Sequence, residues 1–323
     1  MKGNALPFLW VRGLVAAATT WKALLLALAL NAALALVVTA PLVSRLHDVL
    51  DRRPAADGLA KGWDVVLGAH LLRSEPGLLG DPARLDALEQ GTLSLSEGPR
   101  LSGPVAGLLA AGLLHAALSA LLAGGFAGRF AADRERGSLA AFLADVARLG
   151  LPSLVIGALG LAAILGAYFL FVELPREATL SPDLRWDWER TGLSLLRLLA
   201  FLGTTGAVRA VLAQSRAALG LAKTANPFLA LASGLGFVLG RPVKALLLEV
   251  SFGVTALLPL SLWLVFAPSW SGGDVRLLAL LVAGQQAVVL LLIVARTALL
   301  GAATSWMRGA REAARPAPAK IES

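Results

Sequence analysis

The chain contains no cysteine, and only three histidines stand among its 323 residues. The lack of cysteine excludes disulfide bonds, thiolate metal ligands and thiol catalysis. His47, His70 and His115 are too far apart in sequence to have the spacing of metal ligands. A HExxH helix, a phosphate-binding P-loop and a G-x-S-x-G nucleophile elbow are also missing. We therefore expect no catalytic residue, no metal site and no cofactor.

Charged residues are also scarce. Only 15% of the residues are charged, where a soluble domain has about 25%, and the mean hydropathy is +0.73. A membrane-spanning helix needs about 20 mostly apolar residues. The runs that meet this requirement are 23–43, 105–126, 151–172, 193–212, 245–266 and 277–300. The sequence thus predicts an all-α, polytopic bundle of six transmembrane helices.

The distribution of positive charge predicts the orientation of this bundle. Residues 1–22, 129–148, 209–249 and 301–323 together carry 16 Lys and Arg against 6 Asp and Glu. The alternate loops, 44–102, 173–192 and 267–276, carry 11 Lys and Arg against 15 Asp and Glu. Short loops rich in Lys and Arg remain in the cytoplasm. We expect both termini to be cytoplasmic and the long loop 44–102 to face outward.

Two amphipathic segments are predicted on the cytoplasmic side. Residues 138–150 follow an N-cap at Ser138, place Phe142 on the apolar side, and place Asp145 and Arg148 on the polar side. Residues 225–240 form the second segment, which is apolar enough to be interfacial or shallowly re-entrant. Both share the trace F-L-A…L-G-x-P, at 142–152 and at 228–242, and both precede a span. This likeness predicts an internal repeat.

The two ends of the chain are predicted to lie outside the spans. Residues 1–22 place Leu6, Leu9, Trp10 and Leu14 on one helical face, which is typical of an interfacial helix. Residues 301–323 are expected to be a polar cytoplasmic tail, largely disordered after Trp306.

Ionisable residues within spans mark candidate sites, because a charge in the bilayer is costly. These residues are Arg197, Arg209, Glu249 and Arg296. We predict an ion pair of Glu249 with Arg296 or with Arg209. Pinning of helices is the favoured role for this pair, and transport or proton relay is the alternative. Gln285 and Gln286 lie nearer the middle of their span and complete the candidate polar set.

Several stretches carry a resemblance to known proteins. They are WKALLLALALNAALAL, ADGLAKGWD, LLAGGFAGRF with SLAAFLADVARL, GFVLGRPVKAL and QQAVVLLLIVAR. Together they resemble a group of uncharacterised six-helix bacterial membrane proteins and, more distantly, the membrane domain of some glycerophosphodiester phosphodiesterases. The resemblance implies the fold, the topology and a bacterial inner-membrane location, and it implies no activity. Arg209, Gln286 and Arg296 match positions typical of the group.

A second resemblance is local. The turn formed by Asp133, Arg134, Glu135, Arg136, Gly137 and Ser138 is similar to the ERE-x-GTL turn of type-2 ABC-transporter permeases. In that family the turn docks on a separate ATPase, so these residues are a candidate cytoplasmic docking turn.

Two functions follow from the sequence as expectations. The first is a non-catalytic inner-membrane protein that is a structural or assembly component of a membrane complex. The alternative is a permease subunit that moves a lipid or another envelope substrate. The expected partners are membrane lipids, other membrane subunits and, for the permease, a separate ATPase. The basic residues are interleaved with acidic ones, so we expect no nucleic acid.

Overall fold

The computed structural model describes residues 5–50, 103–132, 138–174, 187–222, 225–266 and 275–314. All regular structure in these ranges is helical, and a π-helical turn, Phe169–Glu173, extends the fourth helix. The helices are α1 Leu6–Thr19, α2 Trp21–Leu50, α3 Gly103–Ala131, α4 Leu139–Tyr168, α5 Asp187–Leu221, α6 Pro227–Leu239, α7 Pro242–Phe266 and α8 Val275–Ala313.

Five stretches of these helices are long and apolar enough to cross a membrane. They are Ala110–Ala131, Leu139–Glu173, Thr191–Leu221, Pro242–Trp263 and Ala283–Ala313. A sixth arises if Leu6–Thr19 and Trp21–Val37, which meet at a 74° bend, count as one span. The structure therefore confirms an all-α fold with the helices of a multi-pass membrane protein.

The chain divides into two compact units. The first comprises residues 1–27, 117–258 and 290–323, and the second comprises 28–116 and 259–289. In the first unit, α1, α5, α6, α7 and α8 share a core around Trp306, Leu248 and Phe252. In the second unit, Gly284 of α8 lies directly against the ring of Trp263.

The carboxyl-terminal part of α8 belongs to the core of the first unit. We expected a polar tail from residue 301, but α8 continues to Ala313, and Ala302, Ala303, Trp306 and Met307 are buried. Small side chains permit this packing, since a Cβ added to Gly301 would lie 2.8 Å from the Cβ of Ala16 on α1. The sequence after Leu300 is less apolar than the sequence before it, which is why it resembles a tail. Its small residues nevertheless allow close contact between helices. Residues 315–323 lie outside the described ranges.

α1 packs through the face that the sequence predicts. Leu9 is fully buried, and Leu6, Trp10 and Leu14 pack against the same core. The ring of Trp10 stacks on that of Phe252 in α7, with centroids 5.7 Å apart. α1 is therefore held by protein contacts as well as by any contact with lipid.

The first predicted amphipathic segment is not a separate helix. We expected it to end at Gly150 and Pro152, but α4 runs through Pro152 without a break. Proline removes one backbone donor from a helix, and packing against α3 compensates at this point. The hydroxyl of Ser153 donates to the carbonyl of Ala120 at 2.7 Å, and a Cβ on Gly124 would lie 2.5 Å from the carbonyl oxygen of Leu149.

The second segment does form a separate helix, α6. Asn226 caps its start by accepting from the N–H groups of Phe228 and Leu229, and the helix ends at Leu239, just before Pro242 begins α7. Ala230, Gly234 and Val238 face the core, whereas the outer residues Phe228, Leu229, Leu235 and Leu239 are exposed and apolar. A helix that is apolar on both sides suits a lipid surround better than an interface with water. The two copies of the sequence trace thus adopt different local structures.

Close helix contacts predict the effect of a glycine substitution in α5. A Cβ on Gly220 would collide with the carbonyl group of Ala127 in α3, whereas a Cβ on Gly206 would meet no described atom within 4 Å. We expect Gly220→Ala to lower the stability by about 1–3 kcal/mol through overpacking. Gly206→Ala should be neutral or slightly stabilising, because alanine favours the helix. Unfolding midpoints of the purified variants in detergent check this, and equal midpoints would contradict the contact.

Candidate functional site

The structure brings Arg209 of α5 and Glu249 of α7 together. The Nε atom of Arg209 donates to Oε1 of Glu249 at 2.6 Å, which is a charge-assisted hydrogen bond. The Glu249 side chain is buried, at 6% exposure, whereas that of Arg209 is 48% exposed. The second carboxylate oxygen, Oε2, is buried and makes no hydrogen bond to the described residues. Of the two pairings that the sequence predicts, the direct contact is the one with Arg209.

Arg296 of α8 lies near this pair but outside direct contact. It is attracted by Glu249 and repelled by Arg209. Within the described ranges no carboxylate lies within ion-pair distance of its guanidinium group. The residue as a whole is exposed.

A fourth residue, Arg216, belongs to the cluster and is not among the residues singled out from the sequence. The predicted span ended at residue 212, so Arg216 was counted with a cytoplasmic loop, but α5 continues to Leu221. Arg216 and Arg209 are seven residues apart, which places them on one face, about 10 Å apart along the axis. Arg216 repels Arg296, and its Nη2 atom would lie 3.3 Å from a Cβ on Gly157 of α4. The seven-residue spacing is the sequence signal that identifies it.

The cluster of Arg209, Arg216, Arg296 and Glu249 therefore holds three cations and one anion. Arg209 and Glu249 balance each other, which leaves the charges of Arg216 and Arg296 without a neutralising partner among the described residues. The Nε atom of Arg216 is buried and has no hydrogen-bond partner in this part of the chain.

Arg197, Gln285 and Gln286 complete the candidates in the spans. Arg197 lies on α5, 12 residues before Arg209, which corresponds to about 18 Å along the helix. Gln285 and Gln286 belong to the second unit. There Gln285 is exposed and Gln286 is half-buried, with its Oε1 atom buried and unbonded among the described residues. Within the same ranges, no three His, Asp or Glu residues come together as metal ligands.

A second charged group lies where α3 ends and α4 begins. We expected Asp145 on a polar outer face, but it is buried and accepts from Nε of Arg129 at 2.5 Å. Arg148 donates to its other oxygen at 3.3 Å. Gly128 makes room for the carboxylate, because a Cβ there would lie 2.5 Å from Cγ of Asp145. Asp145 thus pins α4 to α3.

The candidate docking turn connects α3 to α4 in the sequence, and Ser138 is its one described residue. Ser138 caps α4 by accepting from the N–H of Ala141 at 3.3 Å, as the sequence predicts. Asp133, Arg134, Glu135, Arg136 and Gly137 lie outside the described residues. The end of α3 is also held by Arg308 of α8, whose Nη2 donates to the carbonyl oxygens of Phe130 and Ala131 at 2.8 and 2.7 Å. A cation at a helix carboxyl terminus satisfies the last carbonyls and the helix dipole.

Comparison of the chain with protein-family models, with curated proteins and with solved structures finds no match.

The two arginines that contact Asp145 predict a contrast in stability. The Arg129 side chain is 12% exposed and that of Arg148 is 60% exposed. Arg129→Gln leaves a buried carboxylate without its main partner, and we expect a loss of about 2 kcal/mol. Arg148→Gln removes a surface contact worth about 0–1 kcal/mol. Unfolding midpoints in detergent compare the two, and an equal or larger loss for Arg148→Gln would contradict the pin.

Proposed function

We propose that the chain is a non-catalytic, multi-pass protein of the bacterial inner membrane that acts as a structural or assembly component of a membrane complex. The observation that carries this proposal is the first half of α5. Residues 191–196 are exposed on all sides of the helix, and so are most residues up to 203. This segment is part of a stretch apolar enough to span a membrane, but it makes few contacts with the described chain.

The composition of this segment favours a partner helix over lipid alone. A Cβ on Gly192, Gly203 or Gly206 would meet no described atom within 4 Å. A helix that contacts only lipid has no need of glycine, whereas bare helix surfaces allow close approach of a second helix. These features support a neighbouring membrane subunit.

The orientation follows from charge and is part of the proposal. The segments at residues 1–22, 129–148, 209–249 and 301–323 hold the excess of Lys and Arg, and such segments remain on the cytoplasmic side. If α1 and α2 are counted as one span, the described residues offer six candidate spans. An even number puts both termini on one side of the membrane, and the excess of Lys and Arg favours the cytoplasmic side.

The second candidate function is a permease subunit for an anionic envelope substrate. It is favoured by one observation, the accessible and positively charged surface of Arg209 and Arg296 between apolar helices. In this case the turn at residues 133–138 contacts a separate ATPase.

The proposal predicts that other membrane proteins co-purify with the chain, and that α5 holds them. We expect stoichiometric membrane subunits with the tagged wild-type chain in mild detergent, identified by mass spectrometry. Gly203→Leu should displace them, because leucine fills the open helix surface without a clash inside the chain. Gly253→Leu, a substitution at an equally open position on α7, is the control and should retain them.

The outcomes separate the two functions. Subunits that stay bound to Gly203→Leu, or a wild-type chain that purifies alone, would contradict the assembly role. A soluble ATPase present at a fixed ratio would instead support the permease.

A further inference from the structure

We propose that the outer face of α7, together with Arg241 and Lys244 at its beginning, is a docking surface for an acidic phospholipid. The headgroup lies against the two cations, and an acyl chain lies along the helix. This surface is separate from the first half of α5, which supports the assembly role, so the two proposals can fail independently.

The two cations lie over one pair of aromatic rings. Phe237 of α6 and Trp306 of α8 meet edge to face, with ring centroids 4.8 Å apart. The Cζ atom of Arg241 lies 4.9 Å from the centroid of the Phe237 ring. The Nζ atom of Lys244 lies 4.8 Å from the centroid of the Trp306 ring. Because the rings are in contact, these cation–π interactions hold both positive groups at one place.

The positive charge at this place is open to a ligand. Arg241 is exposed, and Lys244 is half-buried. Arg241 forms no ion pair with a carboxylate of the described residues, and the first turn of α7 contains no acidic residue. A guanidinium that stacks on a ring keeps its N–H donors in the plane of the fork, where they match the oxygens of a phosphate group. Arg241 and Lys244 therefore suit an anionic headgroup.

An apolar track begins beside the two cations. It consists of Val243, Leu247, Val250, Val254 and Leu257 of α7, each of which is more than half exposed. Their alternating spacing of four and three residues places them in one stripe, about 21 Å long. The hydrocarbon core of a bilayer is about 30 Å thick, so one leaflet provides about 15 Å. The stripe is therefore long enough for the acyl chain of a lipid whose headgroup lies at its start.

The residue types of the track favour a lipid over a partner helix. The track contains only valine and leucine, whereas the first half of α5 has open glycines. Branched side chains keep a second helix backbone at a distance, and small residues allow it to approach. Basic residues at the end of a membrane helix attract acidic lipids, and Arg241 and Lys244 lie at the beginning of the apolar stretch Pro242–Trp263. A phospholipid thus meets the cations with its headgroup and the track with its chain.

The test measures the unfolding midpoint of the purified chain in neutral detergent with increasing amounts of one of three additives. These are phosphatidylglycerol, phosphatidylcholine with the same acyl chains, and sodium phosphate. Phosphatidylglycerol should raise the midpoint in a saturable manner, because a ligand that binds only the folded state stabilises it. Phosphatidylcholine should raise it much less, and sodium phosphate should leave it unchanged. An equal shift with phosphatidylcholine would overturn the headgroup site, and an equal shift with sodium phosphate would overturn the lipid as its occupant.

Substitutions connect this effect to the two cations. Arg241→Gln and Lys244→Gln should each weaken the apparent affinity for phosphatidylglycerol about fivefold. Arg241→Lys keeps the charge but loses the fork, so its affinity should lie between those of Arg241→Gln and the wild type. Arg12→Gln removes an exposed arginine from α1 and should bind as the wild type does. An equal loss in Arg12→Gln would show that binding follows net charge, and the site would be refuted.

A further pair of variants tests the track. Leu247→Asn places a polar group in the stripe and should weaken the affinity for phosphatidylglycerol, although both cations remain. Leu151→Asn changes an exposed leucine of α4 and is the matched control, which should bind normally. Unchanged affinity in Leu247→Asn would contradict the track.

Native mass spectrometry of the same preparations counts the phosphatidylglycerol molecules that remain bound, and this readout does not depend on the stability of a variant. Arg241→Gln should retain fewer of them than the wild type while it still co-purifies with membrane subunits. Gly203→Leu should retain as many as the wild type. Equal retention by Arg241→Gln and the wild type would overturn the docking surface and leave the assembly role untouched.

Discussion

The charged contact between Arg209 and Glu249 is the constraint on which the polar part of this membrane protein depends. A carboxylate among apolar helices is costly unless a cation accompanies it, and the 2.6 Å hydrogen bond supplies that cation from a different helix. The contact thereby ties α5 to α7. It also occupies the only carboxylate of the cluster, so that Arg216 and Arg296 are left with excess positive charge.

Small residues determine where that cluster lies. The backbones of α1 and α8 meet at Gly13 and Gly301, and those of α3 and α5 meet at Gly220. Without a hydrophobic driving force between helices in lipid, such close contacts carry much of the association. They bury Ala298, Ala302 and Trp306 of α8 in the core that α1, α5, α6 and α7 share. Contacts between uncharged residues therefore determine where Arg296 of α8 lies relative to α5.

The sequence was sufficient for the parts of the fold that hydropathy controls. The apolar runs predicted where the long helices lie, and the isolated Glu249 predicted an ion pair across helices. Features that depend on packing were not predictable in this way. The predicted apolar run ended at residue 212, before Arg216, although α5 continues to Leu221, and residues after 300 had too little apolar character to suggest a buried helix. Pro152 indicated a break, but tertiary contacts with Ala120 and Gly124 keep α4 continuous.

The measurement that tests the central contact most directly is a double-mutant cycle in detergent with Arg209→Gln, Glu249→Gln and the double variant. Arg209→Gln leaves a buried carboxylate unpaired, and Glu249→Gln leaves three arginines without an anion, so each single change should destabilise the chain by about 1–3 kcal/mol. The double variant should be less destabilised than the sum of the two, with a coupling of about 0.5–3 kcal/mol. Strictly additive losses would show that Arg209 and Glu249 do not interact and would contradict the account.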